Sequence, residues 1–358
     1  MNQLALVAAA MVAAAITAAQ THAPPPQPAA PAAPQPETEA DRAAVVAALA
    51  TALDENFVFP DVARRYAAML RANAAAGAYA NLGPRFAETL ERELQALHAD
   101  RHLRIGSANP AAAAGPGPRR VMRMPDPSIA IGQSGWIADG VAYIDIGLFP
   151  GNPETVARFE RFLEQHSDAH TLIFDIRNHR GGGLAEMDAI FSWIFPRETL
   201  LVGMDTRSAV VRRRGEPIPD GPTLRRVASP DTVVRRMHYA VPSSRPTRLR
   251  EARVFLLTSR RSGSAAEHFA LSLKRTGRAT LIGETTAGAG HYGGMVPLGH
   301  GYSAFVPVGR TYDPDTDQGW EAVGVAPNIA VPADQALDEA LRRSGVDPAQ
   351  RRTLGTTI

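Results

Sequence analysis

The sequence predicts an α/β fold, a mixed sheet with crossover helices behind an N-terminal three-helix unit, on three observations. Apolar residues recur at helical spacing between Asp41 and Ile105. Beyond Trp136, short strand-like apolar runs alternate with amphipathic helical ones. Over 358 residues, 45% hydrophobic against 21% charged is the balance of a chain that buries a sizeable core.

Taken in order, residues 4–19 form an uncharged apolar run, shorter than the roughly 20 residues a spanning helix needs. It reads as a secretory signal over 1–23, cleaved after Ala19 or Ala23, although Met-Asn-Gln lacks the usual basic residue. An exported chain, periplasmic or secreted, is the expectation; an uncleaved N-terminal anchor is the competing one. The Pro/Ala-rich tract at 24–40 reads as a stiff linker.

Residues 41–105 are expected to form the helical domain. Val62, Tyr66, Met69 and Leu70 share one face, as do Phe86, Leu90, Leu94 and Leu97. Residues 106–135 read as a linker. In the α/β core at 136–343, Asn152 caps a helix opened by Pro153, with Val156, Phe159, Phe162 and Leu163 inward. Buried strands follow at 171–176 and 252–258, each leading through a loop into a helix. The segment from Gly288 to Val331 is strand-rich, a last helix closes the core, and 344–358 is a tail. Between 207 and 250, eleven arginines face only Glu216, Asp220 and Asp231. That excess reads as a solvated insert, with contact to an anionic membrane surface or a peptide carboxylate as the sharper alternative. Without interleaved aromatics it offers no nucleic-acid groove.

Composition also excludes chemistries. There is no cysteine, so disulfides, thiolate nucleophiles and cysteine-ligated metals are out. Lys274 is the one lysine, hence the one candidate for a lysine base.

Three loops carry candidate chemistry. Gly263-Ser264-Ala265-Ala266-Glu267 places a serine at a strand-to-helix junction, where new helix N–H groups point outward and can stabilise an oxyanion. Ser264 to Glu267 is equally a capping box, so these residues alone leave capping and nucleophilic roles open. Asp175 to Gly183 ends in three glycines that allow backbone to approach a ligand closely. Gly288, Gly290 and Gly293 spell G-x-G-x-x-G, but strand patterns follow where a dinucleotide fold needs a helix. His98 and His102, four apart, are conceivable metal ligands, yet position 99 is alanine and no other cluster completes a site, so neither a metal nor another cofactor is expected.

Together these segments resemble the tail-specific, or C-terminal-processing, serine peptidase family. They are most similar to its interphotoreceptor retinoid-binding protein-like branch and more distantly to tricorn protease. The similarity rests on Asn56-Phe-Val-Phe-Pro-Asp-Val-Ala63, Asp100-Arg-His-Leu-Arg104 and Phe174-Asp-Ile-Arg-Asn178 with its glycines. It continues through Leu257-Thr-Ser259 to Glu267, Ile282-Gly-Glu-Thr285 and Trp320-Glu-Ala-Val-Gly-Val-Ala-Pro-Asn328. The resemblance implies a ClpP/crotonase-like core, a peptide or protein substrate, and Ser264 as nucleophile. Members that pair this serine with a lysine carry it inside G-K-G; here the triplet is Gly288-Ala289-Gly290, and Lys274 lies some 15 Å along the following helix, at 1.5 Å per residue. Tricorn-like members use a histidine instead, which implies His102 as general base. The N–H groups of Ala265 and of Gly181 or Gly182 would form the oxyanion hole, Glu321 would be the orienting acid, and Glu284 is the alternative. Asp100 is read as shaping the turn, and Arg101 stands where tricorn has an orienting serine. The stretch 106–135 is too short for the family's PDZ domain. Because the branch's namesake binds retinoids and fatty acids, a non-catalytic carrier of an apolar small ligand is the rival reading, and a metal-dependent hydrolase a distant one.

Overall fold

The computed structural model describes residues 38–107 and 129–355. The expected signal, most of the Pro/Ala tract and of the linker, and the last three residues lie outside the described residues. Among the described residues no helix is long and apolar enough to cross a membrane.

Three helices open the described chain: α1 (Glu39–Asn56), α2 (Pro60–Ala75) and α3 (Phe86–Leu97). Thr38 starts α1 through a capping box with Asp41: Thr38 Oγ1 accepts the Asp41 N–H at 3.1 Å and Thr38 N–H donates to the Asp41 carboxylate at 2.9 Å. The chain continues through β1 (Arg104–Ser107), β2 (Ile131–Ala138), β3 (Val141–Ile146), α4 (Pro153–Gln165), β4 (Thr171–Asp175), α5 (Ala185–Ile194), β5 (Thr199–Arg207) and α6 (Ser208–Arg214). It closes with β6 (Leu224–Val227), β7 (Val233–Ala240), β8 (Arg253–Thr258), α7 (Ala265–Arg275), β9 (Thr280–Gly283), β10 (His291–Gly299), β11 (Tyr302–Tyr312), β12 (Ile329–Ala330) and α8 (Ala336–Arg343).

The α/β expectation holds, with two sheets in place of one. The order β12-β9-β8-β4-β3-β2 is parallel from β12 to β3, and β2 adds an antiparallel edge. Its strands are covered on both sides, as a parallel sheet requires. Phe174 and Leu256 face α4, α5 and α7 through Phe162, Phe191 and Phe269; Ile173 and Leu257 face α8 through Ala340 and Leu341. The second sheet runs β1-β11-β5-β7-β6, with β10 also on β11, all antiparallel. The N-terminal helices share their core with it: Leu49, Phe57, Tyr66 and Phe86 pack in one cluster with Tyr302, Ala304 and Val306.

The arginine-rich stretch corrects its solvated-insert reading. It supplies α6, β6 and β7 of the antiparallel sheet, and its charges meet partners at hand. Arg236, 1% exposed, bonds Asp220 and Glu216. Arg235 holds Asp205, Arg225 holds Glu198, and Arg207 donates to the carbonyls of Asp54 and Phe57.

Candidate active site

Ser264 stands where β8 hands over to α7. It adopts φ 59° and ψ −117°, a conformation that costs a non-glycine residue about 1–3 kcal/mol and persists only when its surroundings impose it. The imposition is visible. Gly263 N–H donates to His179 O at 3.1 Å, and Ser262 Oγ donates to Ile176 O at 2.7 Å, tying the turn to the loop after β4. Glu267, fully buried, takes four donors: Ser264 N–H at 2.9 Å, Thr286 Oγ1 at 2.6 Å, Gly288 N–H at 2.6 Å and Ala289 N–H at 2.7 Å. Burial pushes its carboxyl upward while these bonds pull it back. The glutamate of the capping box thus also locks the Gly288–Ala289 loop. Replacing Glu267 with alanine strands those buried donors and is expected to cost about 3 kcal/mol or more, read as a lowered Tm. Glu267→Gln, which still accepts through one oxygen, should lose less.

The glycine loop touches the serine directly. A methyl group on Gly181 would lie 2.9 Å from Ser264 Cβ, and one on Gly182 would lie 1.9 Å from Phe149 O; both residues have positive φ. Their amides differ. Gly181 N–H donates to the buried Nδ1 of His179 at 3.0 Å. Gly182 and Ala265 donate no amide hydrogen bond among the described residues, and both line the cavity that contains Ser264.

That cavity measures about 310 Å³. Leu184, Met204, Ile218 and Trp320 make its apolar wall, and Ser264, His268 and His291 bring the chemistry. Ala289 and His291, two residues apart, both line it. His291 thus shares its cavity with Ser264. His291 Nδ1 lies 2.7 Å from Asp100 Oδ2, and the edge-on ring of Phe59, 5.4 Å away, steadies the imidazole. Burial raises Asp100, but hydrogen bonds from His291 and from the Leu103 and His102 amides outweigh it and hold the carboxyl below its usual range. An ionised Asp100 accepts only, so His291 carries its proton on Nδ1 and leaves Nε2 with a lone pair.

The remaining sequence candidates fall around this core. His102 does not line the Ser264 cavity; its ring packs 5.6 Å from Phe305, its Nδ1 is buried without a partner, and desolvation lowers its pKa to about 4. Asp100 shapes the turn as expected, accepting from the amides of His102 at 2.9 Å and Leu103 at 3.0 Å. Glu321 joins the two histidine-bearing segments: Oε1 accepts the Arg101 N–H, while Oε2 accepts Gly290 N–H at 2.6 Å and His291 N–H at 3.1 Å, and lies 3.8 Å from His291 Nδ1. Burial, then the Asp100 charge, push Glu321 upward. Glu284 lies on a different cavity, beside Arg260. Lys274 donates to Ala326 O at 2.7 Å and lines neither. Sequence reading did not single out His291, His268 or His179, which the fold gathers around Ser264. The available signal was a histidine immediately after the Gly288-Ala289-Gly290 triplet.

Among the described residues, Asp100, His291 and Glu321 bring ligand-type atoms within 4.8 Å of one another. Those atoms already serve each other and the Gly290 and His291 amides. His98, instead of pairing with His102, packs against Phe57 and Phe59.

Two solved structures share this architecture. A provisionally named peptidase from Parabacteroides merdae matches with a TM-score of 0.53 and 19% identity, over 87% of this chain and 94% of that one. A lipoprotein from Streptococcus agalactiae matches at 0.51 and 13%, over 87% and 97%. The photosystem II D1 C-terminal processing protease matches at 0.40 and 22%, over 54% of this chain; the match spans only 43% of that protein's length. The family model for peptidase family S41 matches residues 140–331, which run from β3 to the end of β12 and include Ser264, the glycine loop, His291 and Glu321. The chain belongs to peptidase family S41.

Proposed function

We propose that this protein is a serine peptidase in which Ser264 attacks the carbonyl of a peptide or protein substrate. His291 Nε2 takes the Ser264 proton as the Oγ–carbonyl bond forms and returns it to the leaving amine. A water, deprotonated by the same nitrogen, then releases the acyl group and regenerates the serine. The Ala265 and Gly182 amides hold the oxyanion, since Gly181 spends its own on His179. Asp100 fixes the imidazole and balances its transient charge. Glu321 sets the positions of both loops through their amides. The observation that carries this reading is the shared cavity of Ser264 and His291, with His291 backed by a buried carboxylate at 2.7 Å.

His102 is the second reading for the base, favoured by the family motif and by its buried, unpartnered Nδ1. The pH profile tests His102. A base acts when neutral, so with His102 at about 4, kcat/KM would stay high down to that pH and fall only below it. An acid limb well above pH 4 removes His102.

Peptide hydrolysis and fluorophosphonate labelling by the wild type test the function itself. A protein that does neither, yet binds retinol or oleate at micromolar concentration, is the apolar carrier instead. Hydrolysis that stops in chelator would point to the metal-dependent alternative. Export is proposed on residues 4–19 and predicts a mature chain beginning at Gln20 or Pro24, read by N-terminal sequencing of secreted material. Contact of the 207–250 arginines with an anionic membrane predicts salt-sensitive sedimentation with acidic vesicles, although most of these arginines already have partners within the fold.

A further inference from the structure

One turn after Ser264 on α7, His268 is 3% exposed and lines the same cavity. Behind it runs a buried chain that the proton-transfer scheme leaves unused. His268 Nε2 lies 2.8 Å from His238 Nδ1 on β7; His238 Nε2 lies 2.6 Å from Asp188 Oδ1 on α5; Asp188 Oδ2 accepts from Thr223 Oγ1 at 2.7 Å.

With both rings neutral, hydrogen-bond arithmetic fixes the protons. An ionised carboxylate accepts only, so His238 donates from Nε2 and, neutral, has a bare Nδ1. That nitrogen needs a donor, which must be His268 Nε2–H. His268 then has its own lone pair on Nδ1, and burial followed by the neighbouring His238 keeps the ring neutral. No described residue donates to Nδ1, and His268 lines the cavity. Around it Leu184, Met204, Ile218 and Trp320 are apolar, and the Tyr292 hydroxyl is engaged with Thr206 at 2.7 Å.

We propose that the Asp188–His238–His268 relay makes this cavity a side-chain pocket that selects a neutral hydrogen-bond donor on an apolar body, a tyrosine-type phenol over a phenyl ring. The pocket rests on the peptidase reading only for its place beside the scissile bond. A phenol O–H meets the bare nitrogen, whereas phenylalanine strands it in an apolar wall. A carboxylate would face lone pair against lone pair. A lysine or arginine would bury a cation with two imidazoles between it and Asp188.

Two measurements test this. Wild-type kcat/KM is compared for peptides differing only by tyrosine or phenylalanine before the scissile bond, then repeated in Asp188→Ala. In parallel, Ser264→Ala is titrated with p-cresol and with toluene while the His268 ring nitrogens are followed by NMR. The expected results are a tyrosine preference of about 10- to 100-fold that shrinks to within about threefold in Asp188→Ala. p-Cresol should bind at least tenfold more tightly than toluene and move the Nδ1 resonance. A wild type that cleaves both peptides equally, a preference unchanged in Asp188→Ala, or equal binding of the two small molecules overturns the proposal. If no peptide is cleaved and no probe labels, the peptidase reading fails, and the p-cresol and toluene titrations still decide the pocket.

Discussion

Ser264→Ala is expected to lower kcat/KM by about 10⁴-fold or more and to abolish fluorophosphonate labelling, because no other hydroxyl can reach the oxyanion donors from the elbow. Of the serines in the turn, Ser262 Oγ is spent on Ile176 O and Ser259 Oγ on Arg177 O. The substitution should leave the fold intact. The Glu267 clamp acts on the backbone N–H of residue 264, not on its hydroxyl, and alanine keeps that N–H. Alanine at φ 59° carries strain comparable to that of serine, so Tm should change little. Unchanged hydrolysis in this variant would remove Ser264 from the chemistry.

His291→Ala is the second large effect, a fall of about 10²- to 10⁴-fold in kcat, the usual worth of a positioned general base. Asp100→Asn should cost a comparable amount. An amide oxygen can keep the turn bonds to His102 and Leu103, but its NH₂ facing His291 Nδ1 favours the tautomer with the proton on Nε2, where the base must be bare. His102→Ala is expected to cost less than tenfold, chiefly through loss of packing on Phe305. Equal KM with depressed kcat in His291→Ala and Asp100→Asn would mark a role in the chemical step and not in binding.

Local features were readable from the sequence and long-range ones were not. The helices around Tyr66 and Phe162 show their faces by period, and the buried strand at 171–175 shows itself by length and by the loop that follows. The serine elbow and its glycine loop were legible because each is a contiguous strand–loop–helix segment. The antiparallel sheet was not, since β1 pairs with β11 across two hundred residues and periodicity carries no information on partners. The same holds for Asp100 and His291, 191 residues apart, and for the Asp188–His238–His268 chain, whose members come from three separate elements. The arginine stretch misled for a related reason: acids that neutralise it, Glu198 and Asp205, lie outside it in sequence. His291, one residue beyond the Gly288-Ala289-Gly290 triplet, lines the same cavity as Ala289, a proximity to Ser264 that the sequence does not show.

The central claim is that Ser264 is activated by His291. Its most direct test is intact-mass measurement of the fluorophosphonate labelling rate in wild type, His291→Ala and His102→Ala, with the adduct located by peptide mapping. A single adduct on Ser264 is expected, formed at similar rates in wild type and His102→Ala and at least a hundredfold more slowly in His291→Ala. Wild-type labelling in His291→Ala, with labelling lost in His102→Ala, would contradict it.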